Sequence, residues 1–145
     1  MKLTTRTRYA LRAMIELARQ PKDNALTLDI IAQRQRVKPK YLEQIFIKLH
    51  HAHLIESKKG PGGGYIIGRD PALISLGEIM KAVGETTAPV MCAENKNDNY
   101  CSGLTGCPIQ PCWIELKKLI DNFVDKLTIG DIMNGKPANI LKDYD

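Results

Sequence analysis

All four cysteines of this 145-residue chain lie on one short stretch, at Cys92, Cys101, Cys107 and Cys112. Soft thiolates gathered on one segment are the ligands that iron–sulfur clusters use, so this stretch is a candidate cluster site. The chain has no Cys-x-x-Cys pair, which disfavours a zinc ribbon. The alternative is a set of incidental thiols, some of them buried.

The surroundings of the cysteines divide them into two groups. Cys92, Cys101 and Cys107 lie among Asn, Asp, Gly and Pro, where neither helical nor strand periodicity is present and burial explains a thiol poorly. Cys112 precedes Trp113 on a predicted helix, so a core position is the alternative for it. If that helix begins at Pro111, Cys112 lies in the first turn, where the helix dipole favours a thiolate. Cys112 is therefore a further candidate ligand.

Other reactive side chains indicate less chemistry. The histidines at 50, 51 and 53 end a predicted helix, and a solvated helix end explains them better than a metal site. The glycine-rich run from Lys59 to Gly64 lacks the Lys-Ser or Lys-Thr pair of a nucleotide-binding loop. No spacing of Ser, His and Asp predicts a catalytic triad. We therefore expect a protein that is not an enzyme.

The elements that position these residues follow from caps and apolar periodicity. Thr4 or Thr5 caps a first helix, Thr27 caps a short second helix, and Pro39 suits the first position of a third. The third helix carries one stripe with the spacing of a buried face, formed by Leu42, Ile45, Phe46 and Leu49.

The periodicity changes after the third helix. Leu54 to Lys58 and Tyr65 to Ile67 predict two short strands around the glycine-rich run, whose glycines permit positive φ and close approach of a partner. Helix, helix, turn, helix and hairpin is the order of a winged helix-turn-helix. In that motif the third helix enters the DNA major groove, and here the hairpin would reach the phosphates or the minor groove. A plain flexible hairpin is the alternative for the loop.

The C-terminal half predicts a dimer. Ser75 and Glu78 have capping-box spacing and start a helix that runs to about Val83. A long helix from Pro111 to Leu127 follows, and its heptad-like seam needs a partner surface. The seam consists of Trp113, Leu116, Ile120, Val124 and Leu127.

Charge is unevenly distributed. The net charge is +5, but residues 1–59 hold thirteen Lys or Arg against five Asp or Glu, a net +8, and the rest of the chain is −3. A basic module followed by a mildly acidic remainder is typical of a DNA-binding domain with a control region. The chain has no apolar run long enough to cross a membrane and no signal-peptide core, so we expect it in the cytoplasm.

These patterns predict a mostly α-helical fold with a small β-hairpin wing, that is, a winged helix-turn-helix plus a long dimerisation helix. We divide the chain into a DNA-binding domain (1–70), a connecting helix (71–88), a cysteine-bearing loop (89–110), a dimerisation helix with a terminal turn (111–133) and a loose tail (134–145).

Four stretches resemble a known family: KLTTRTRYALRAMIELA, KPKYLEQIFIKL, GPGGGYIIGRDPALISLGEIMKAV and TIGDIM. Together they resemble the winged-helix iron–sulfur cluster regulators that include IscR, NsrR and RirA. The resemblance extends from Met1 to about Met133, and Lys59 to Gly68 is its most specific part. It implies a homodimeric repressor or activator that binds a palindromic DNA operator and whose affinity is controlled by a 2Fe–2S or 4Fe–4S cluster.

DNA contacts are expected on the third helix and the wing. Glu43 and Gln44 lie off the buried stripe, where Gln suits an adenine edge and Glu accepts from cytosine. With the positions that the resemblance implies, the expected contact set is Lys40, Tyr41, Glu43, Gln44, Lys59, Gly60 and Gly62. The resemblance implies a small polar residue at position 40, where this chain has Lys40, so the operator preference is expected to differ. It implies an Arg in the minor groove at position 59, where Lys59 is a weaker fit.

The resemblance implies Cys92, Cys101 and Cys107 as cluster ligands and leaves the fourth open. IscR-like members have a His three residues after the third Cys, where this chain has Gln110. NsrR-like members can use an Asp near the N-terminus, where this chain has Arg8. Neither side chain ligates iron readily.

Two other functions agree with the same residues. A regulator of this fold can use its cysteines to sense thiol oxidation or to bind zinc. A small metalloenzyme or electron carrier without DNA function is the third possibility. A colourless protein after purification without oxygen favours the first of these two, and an absence of DNA binding favours the second.

Overall fold

The computed structural model of the chain describes residues 2–94, 101 and 106–136. Within these residues the fold is helical with one two-stranded hairpin, as the sequence predicts. The elements in chain order are α1 (Thr5–Ala18), α2 (Leu28–Gln35), α3 (Pro39–His51), β1 (Ile55–Lys58), β2 (Gly64–Ile67), α4 (Leu76–Ala82), α5 (Gln110–Lys126) and α6 (Ile129–Met133). Short 3₁₀ turns lie at Pro71–Leu73 and Met91–Ala93.

The first three helices pack around one apolar core. The Thr4 hydroxyl caps α1 by accepting from the Thr7 amide, and Thr27 caps α2 by accepting from the Ile30 amide. The predicted buried face of α3 is confirmed, and α1 buries a face of the same kind. The apolar residues of the two faces are at most 2 % exposed: Ala10, Met14, Leu17, Leu42, Ile45, Phe46 and Leu49. On α2, Ile31 and Ala32 are buried, whereas Ile30 lies on the outer side and is 39 % exposed.

The wing is an antiparallel hairpin held against the helices. Ile55 pairs with Ile67 and Lys58 with Gly64. The loop before α2 joins its edge, since Leu26 and Tyr65 exchange two backbone hydrogen bonds of 3.0 and 2.8 Å. A side chain at position 64 would lie 2.4 Å from the Leu26 carbonyl oxygen, so this contact requires glycine.

The capping box predicted at Ser75 is present, and a second capping box starts the last helix. Ser75 and Glu78 cap α4, and Thr128 and Asp131 cap α6. The Ile129 amide donates to the Ile74 carbonyl at 2.9 Å, and this hydrogen bond joins the N-termini of α4 and α6. Because Ile74 and Ile129 are fully buried in the same core as the residues of the first three helices, α6 packs against the N-terminal part of the chain.

Helix α5 carries both buried and exposed apolar residues. It begins at Gln110, one residue before the predicted start, and ends at Lys126. The predicted seam is not a single exposed stripe, because Val124 and Leu127 are buried within the chain, whereas Leu116 is 38 % exposed. Leu119, outside the predicted seam, is 56 % exposed.

None of the helices in the described ranges has the length and hydropathy needed to cross a membrane.

Candidate nucleic-acid interface and cysteine segment

The outward face of α3 presents the predicted polar side chains. Lys40, Glu43 and Gln44 are exposed, and Pro39 occupies the first helical turn. Tyr41 is partly used in packing, since its ring meets the Tyr9 ring edge-on, with centroids 6.0 Å apart. The face therefore has the amide and carboxylate groups that can read base edges, and its first turn is held against α1.

The tip of the wing presents Lys59 beside a tight turn. Gly60 and Gly62 have φ of 90° and 71°, where side chains with a Cβ are strained. Lys58 differs from its neighbour, because its ammonium donates to the Asp23 carbonyl at 2.8 Å. Lys58 is thus directed to the loop between α1 and α2, whereas Lys59, the predicted DNA contact, is exposed at the tip.

The end of α4 leads into the stretch that bears the cysteines. Gly84 takes a positive φ of 76°, and the Glu85 amide donates back to the Met80 carbonyl at 2.9 Å. This is the glycine-dependent arrangement that commonly terminates a helix, and it fixes the backbone of Glu85.

The Glu85 carboxylate reaches the N-terminus of α1. One of its oxygens accepts from the Thr4 amide at 2.9 Å and from the hydroxyls of Thr4 and Thr7 at 2.6 and 2.5 Å. Burial raises the pKa of Glu85, but these hydrogen bonds outweigh burial and hold the pKa below its usual 4.5. No motif or spacing in the sequence marks Glu85 as a functional residue.

The chain from Thr86 to Cys112 is here called the cysteine segment. Near its start, the Thr87 hydroxyl donates to the Asp121 carboxylate on α5, and Lys117 donates to the same carboxylate at 2.6 Å. Burial raises the pKa of Asp121, while the hydrogen bonds from Lys117 and Thr87 lower it further than burial raises it. The beginning of the segment is thus anchored to α5.

The other end of the segment is anchored through Gln110. The Gln110 side-chain amide donates to the Cys92 carbonyl at 3.2 Å, and its backbone amide donates to the Cys107 carbonyl at 3.3 Å. All four thiols are free: Cys92 and Cys107 are partly buried, and Cys101 and Cys112 are exposed. The core position considered for Cys112 is therefore wrong, since the first turn of α5 directs this residue to solvent.

The chemistry of this donor set fits an iron–sulfur cluster. Four free thiols lie within one segment, and Cys112 lies in the first turn of a helix, where thiolates are favoured. In residues 2–94, 101 and 106–136, no three His, Cys, Asp or Glu side chains are already gathered around a common point. A bound cluster would therefore have to draw the cysteines together.

Comparison with known proteins identifies the family. A family model described as Rrf2, iron-dependent transcriptional regulator, matches residues 3–135. The chain belongs to the Rrf2 family. The resemblance seen in the sequence is confirmed, because IscR of Vibrio campbellii is 39 % identical over 143 residues, which cover 99 % of this chain and 83 % of IscR.

Solved Rrf2-type structures share the fold. CymR of B. subtilis, titled the global cysteine regulator, superposes with a TM-score of 0.75 at 29 % identity and covers 91 % of this chain and 95 % of CymR. IscR of T. potens gives 0.74 at 29 % identity and covers 93 % of this chain and 88 % of that IscR. These relatives are named regulators, so this Rrf2 protein is a DNA-binding transcriptional regulator and not an enzyme.

Proposed function

We propose that this Rrf2 regulator binds DNA with an affinity set by the chemical state of its cysteine segment. The observation that carries the proposal is that four free thiols lie on a segment anchored at both ends, by Thr87 on Asp121 and by Gln110 on Cys92. A change at the thiols therefore acts on α5 and on the end of α4. It does not act on an isolated loop.

DNA reading is assigned to α3 and the wing. The exposed Gln44 and Glu43 contact base edges in the major groove, with Lys40 and Tyr41 at the start of the same helix. Lys59 reaches a phosphate or the minor groove, where Gly60 and Gly62 let the backbone approach closely.

The regulator acts as a homodimer on a palindromic operator in the cytoplasm. The exposed Leu116 and Leu119 on α5 provide the apolar surface for a second copy. Two-fold symmetry then places one α3 of each protomer on each half of the operator.

The cysteines would hold an iron–sulfur cluster through Cys92, Cys101 and Cys107, with Cys112 as the fourth thiolate. Gln110 is not proposed as a ligand, because a neutral side-chain amide is a poor ligand for iron and its nitrogen already donates to the Cys92 carbonyl. When bound, a cluster supplies one-electron redox chemistry that responds to oxidants and to iron supply.

A second candidate is a thiol switch without a cluster. The similarity to CymR, a cysteine regulator by title, favours it, as does the exposure of Cys101 and Cys112. Exposed thiols are open to oxidation, and one disulfide within the segment would constrain it as a cluster does.

The two candidates differ in colour and composition after purification without oxygen. A cluster gives visible absorption with iron and acid-labile sulfide in equal amounts. In that case Cys107→Ala abolishes the absorption and Cys112→Ala changes it, whereas an unchanged spectrum in Cys112→Ala removes Cys112 from the ligand set. A colourless protein whose DNA affinity responds to oxidant and dithiol is a thiol switch. A colourless protein without that response contradicts the proposed function.

A further inference from the structure

The last residues before the cysteine segment contact both helices of the DNA-binding module that approach it. The Lys48 ammonium of α3 donates to the Val83 carbonyl and the Arg6 guanidinium of α1 donates to the Gly84 carbonyl, each at 3.5 Å. Glu85 completes the set with its hydrogen bonds to α1. Helix α3, the proposed recognition helix, and helix α1 therefore both contact the chain where the cysteine segment begins.

The contact made by Glu85 is stronger than its two neighbours. The 3.5 Å bonds are at the limit of hydrogen bonding, whereas one carboxylate oxygen of Glu85 accepts three bonds of 2.5 to 2.9 Å from Thr4 and Thr7. A charged acceptor makes such bonds roughly twice as strong as neutral ones. Thr7 is fully buried, so its hydroxyl has no access to water as a substitute partner.

The first residues of the cysteine segment, directly after Glu85, are held by hydrogen bonds. Thr86 receives the Ala88 amide on its hydroxyl at 3.1 Å and donates to Glu94 at 3.0 Å, and Thr87 is bound to Asp121. A displacement of the segment must therefore either pull on Glu85 or break these bonds.

We infer that Glu85 is a positioning residue that transmits changes in the cysteine segment to α1 and, through the contact of Tyr9 with Tyr41, to the recognition helix. The consequence for DNA binding rests on the proposed function, while the mechanical link itself does not. The link joins residues 81 positions apart in the chain, and it enters α1 at its capped first turn.

The test follows the amides of Thr4, Thr7 and Arg8 by hydrogen exchange. The metal-free reduced protein is compared with the same protein whose cysteines have been alkylated with N-ethylmaleimide. We expect alkylation to speed exchange at these amides by about five-fold or more, the lower end of measured allosteric couplings. Glu85→Gln keeps the shape of the side chain but removes its charge. In this variant the amides of Thr4, Thr7 and Arg8 should exchange quickly in both the reduced and the alkylated protein. Glu115→Gln, an exposed carboxylate on α5, responds as the wild type does.

Two results overturn the inference: no response to alkylation at these amides in the wild type, or a full response in Glu85→Gln. If Glu85→Gln does not fold, Thr7→Val removes one donor at constant shape and must reduce the response. A response at α1 with unchanged DNA affinity supports the link and contradicts the proposed function, so the two failures are distinguishable.

Discussion

Gln110 and Cys92 meet across the base of the cysteine segment, where the Gln110 side-chain amide donates to the Cys92 carbonyl at 3.2 Å although 18 residues separate them. The resemblance to IscR-like regulators implies a histidine ligand at this position. In this chain the Gln110 side chain closes the segment by a hydrogen bond to the backbone, which agrees with the proposal that only thiols would bind iron.

Removing this hydrogen bond should expose Cys92. Gln110→Ala loses one neutral bond worth about 0.5–1.5 kcal/mol, so local opening should increase about two- to ten-fold. The measurement is the alkylation rate of Cys92 in the reduced metal-free protein, resolved by mass spectrometry. Cys112, already exposed, serves as the internal control and should keep its rate. An unchanged ratio of the two rates would show that the bond does not hold Cys92.

Base reading and phosphate contact should separate in DNA titrations. Gln44→Ala removes a base-edge contact, so it should cost about 1–3 kcal/mol at a duplex selected from a random library and relax its sequence preference. Lys59→Ala should weaken selected and scrambled duplexes alike and lower the salt dependence by about one counterion. Lys58→Ala is the matched control, since its ammonium binds the Asp23 carbonyl and its loss should leave the salt slope unchanged. If Gln44→Ala kept the preference for the selected duplex over the scrambled one, the proposed placement of α3 in the major groove would be wrong.

The dimer should depend on the exposed apolar face of α5. The wild type should sediment as two chains at micromolar concentration, and Leu119→Asp should shift it to one, because a buried unpaired charge opposes association. Lys118→Asp introduces the same charge at an exposed position that is not an i,i+3 or i,i+4 neighbour of Leu116 or Leu119, and it should leave the dimer intact. A wild type that stays a monomer while binding a full palindrome tightly would contradict the arrangement.

Acid should destabilise the fold through carboxylates whose pKa is lowered. Glu78 and Glu85 both have a pKa below the usual 4.5; at Glu78 burial raises it, and hydrogen bonds from Ser75 and Arg69 outweigh burial. The contribution of these two carboxylates to the stability of the fold is complete above pH 4.5. It is lost as the pH falls through their lower pKa values in the folded state. The free energy of unfolding in urea should be flat above about pH 5.5 and decline below it. Glu85→Gln should decline less steeply than Glu115→Gln; equal slopes would deny Glu85 this role.

The sequence predicted the elements whose signals are local. The caps at Thr27 and Ser75, the proline at the start of α3 and the buried stripe of that helix each depend on residues within one or two turns. The wing followed from a change of period and a run of glycines. The structure confirms these features, and they were predictable because neighbouring residues determine them.

Features that depend on distant residues were not predictable in this way. The residues around Glu85 do not indicate that it binds Thr4 and Thr7, because Thr4 and Glu85 are 81 positions apart in the chain. The heptad pattern of α5 did not show that Val124 packs within the chain, because both kinds of burial produce the same spacing. Likewise, no local pattern indicates that Lys58 turns toward Asp23 while Lys59 does not.

In the proposed function, the chemical state of the cysteine segment sets the affinity for DNA. Fluorescence anisotropy with a duplex selected from a random library tests it, using protein purified without oxygen, before and after iron chelation and thiol alkylation. The Kd should differ between the two states by about five-fold or more, a coupling of about 1 kcal/mol at least. The variant with all four cysteines replaced by serine should have one Kd under both treatments. Equal Kd values for the untreated and treated wild type would contradict the account.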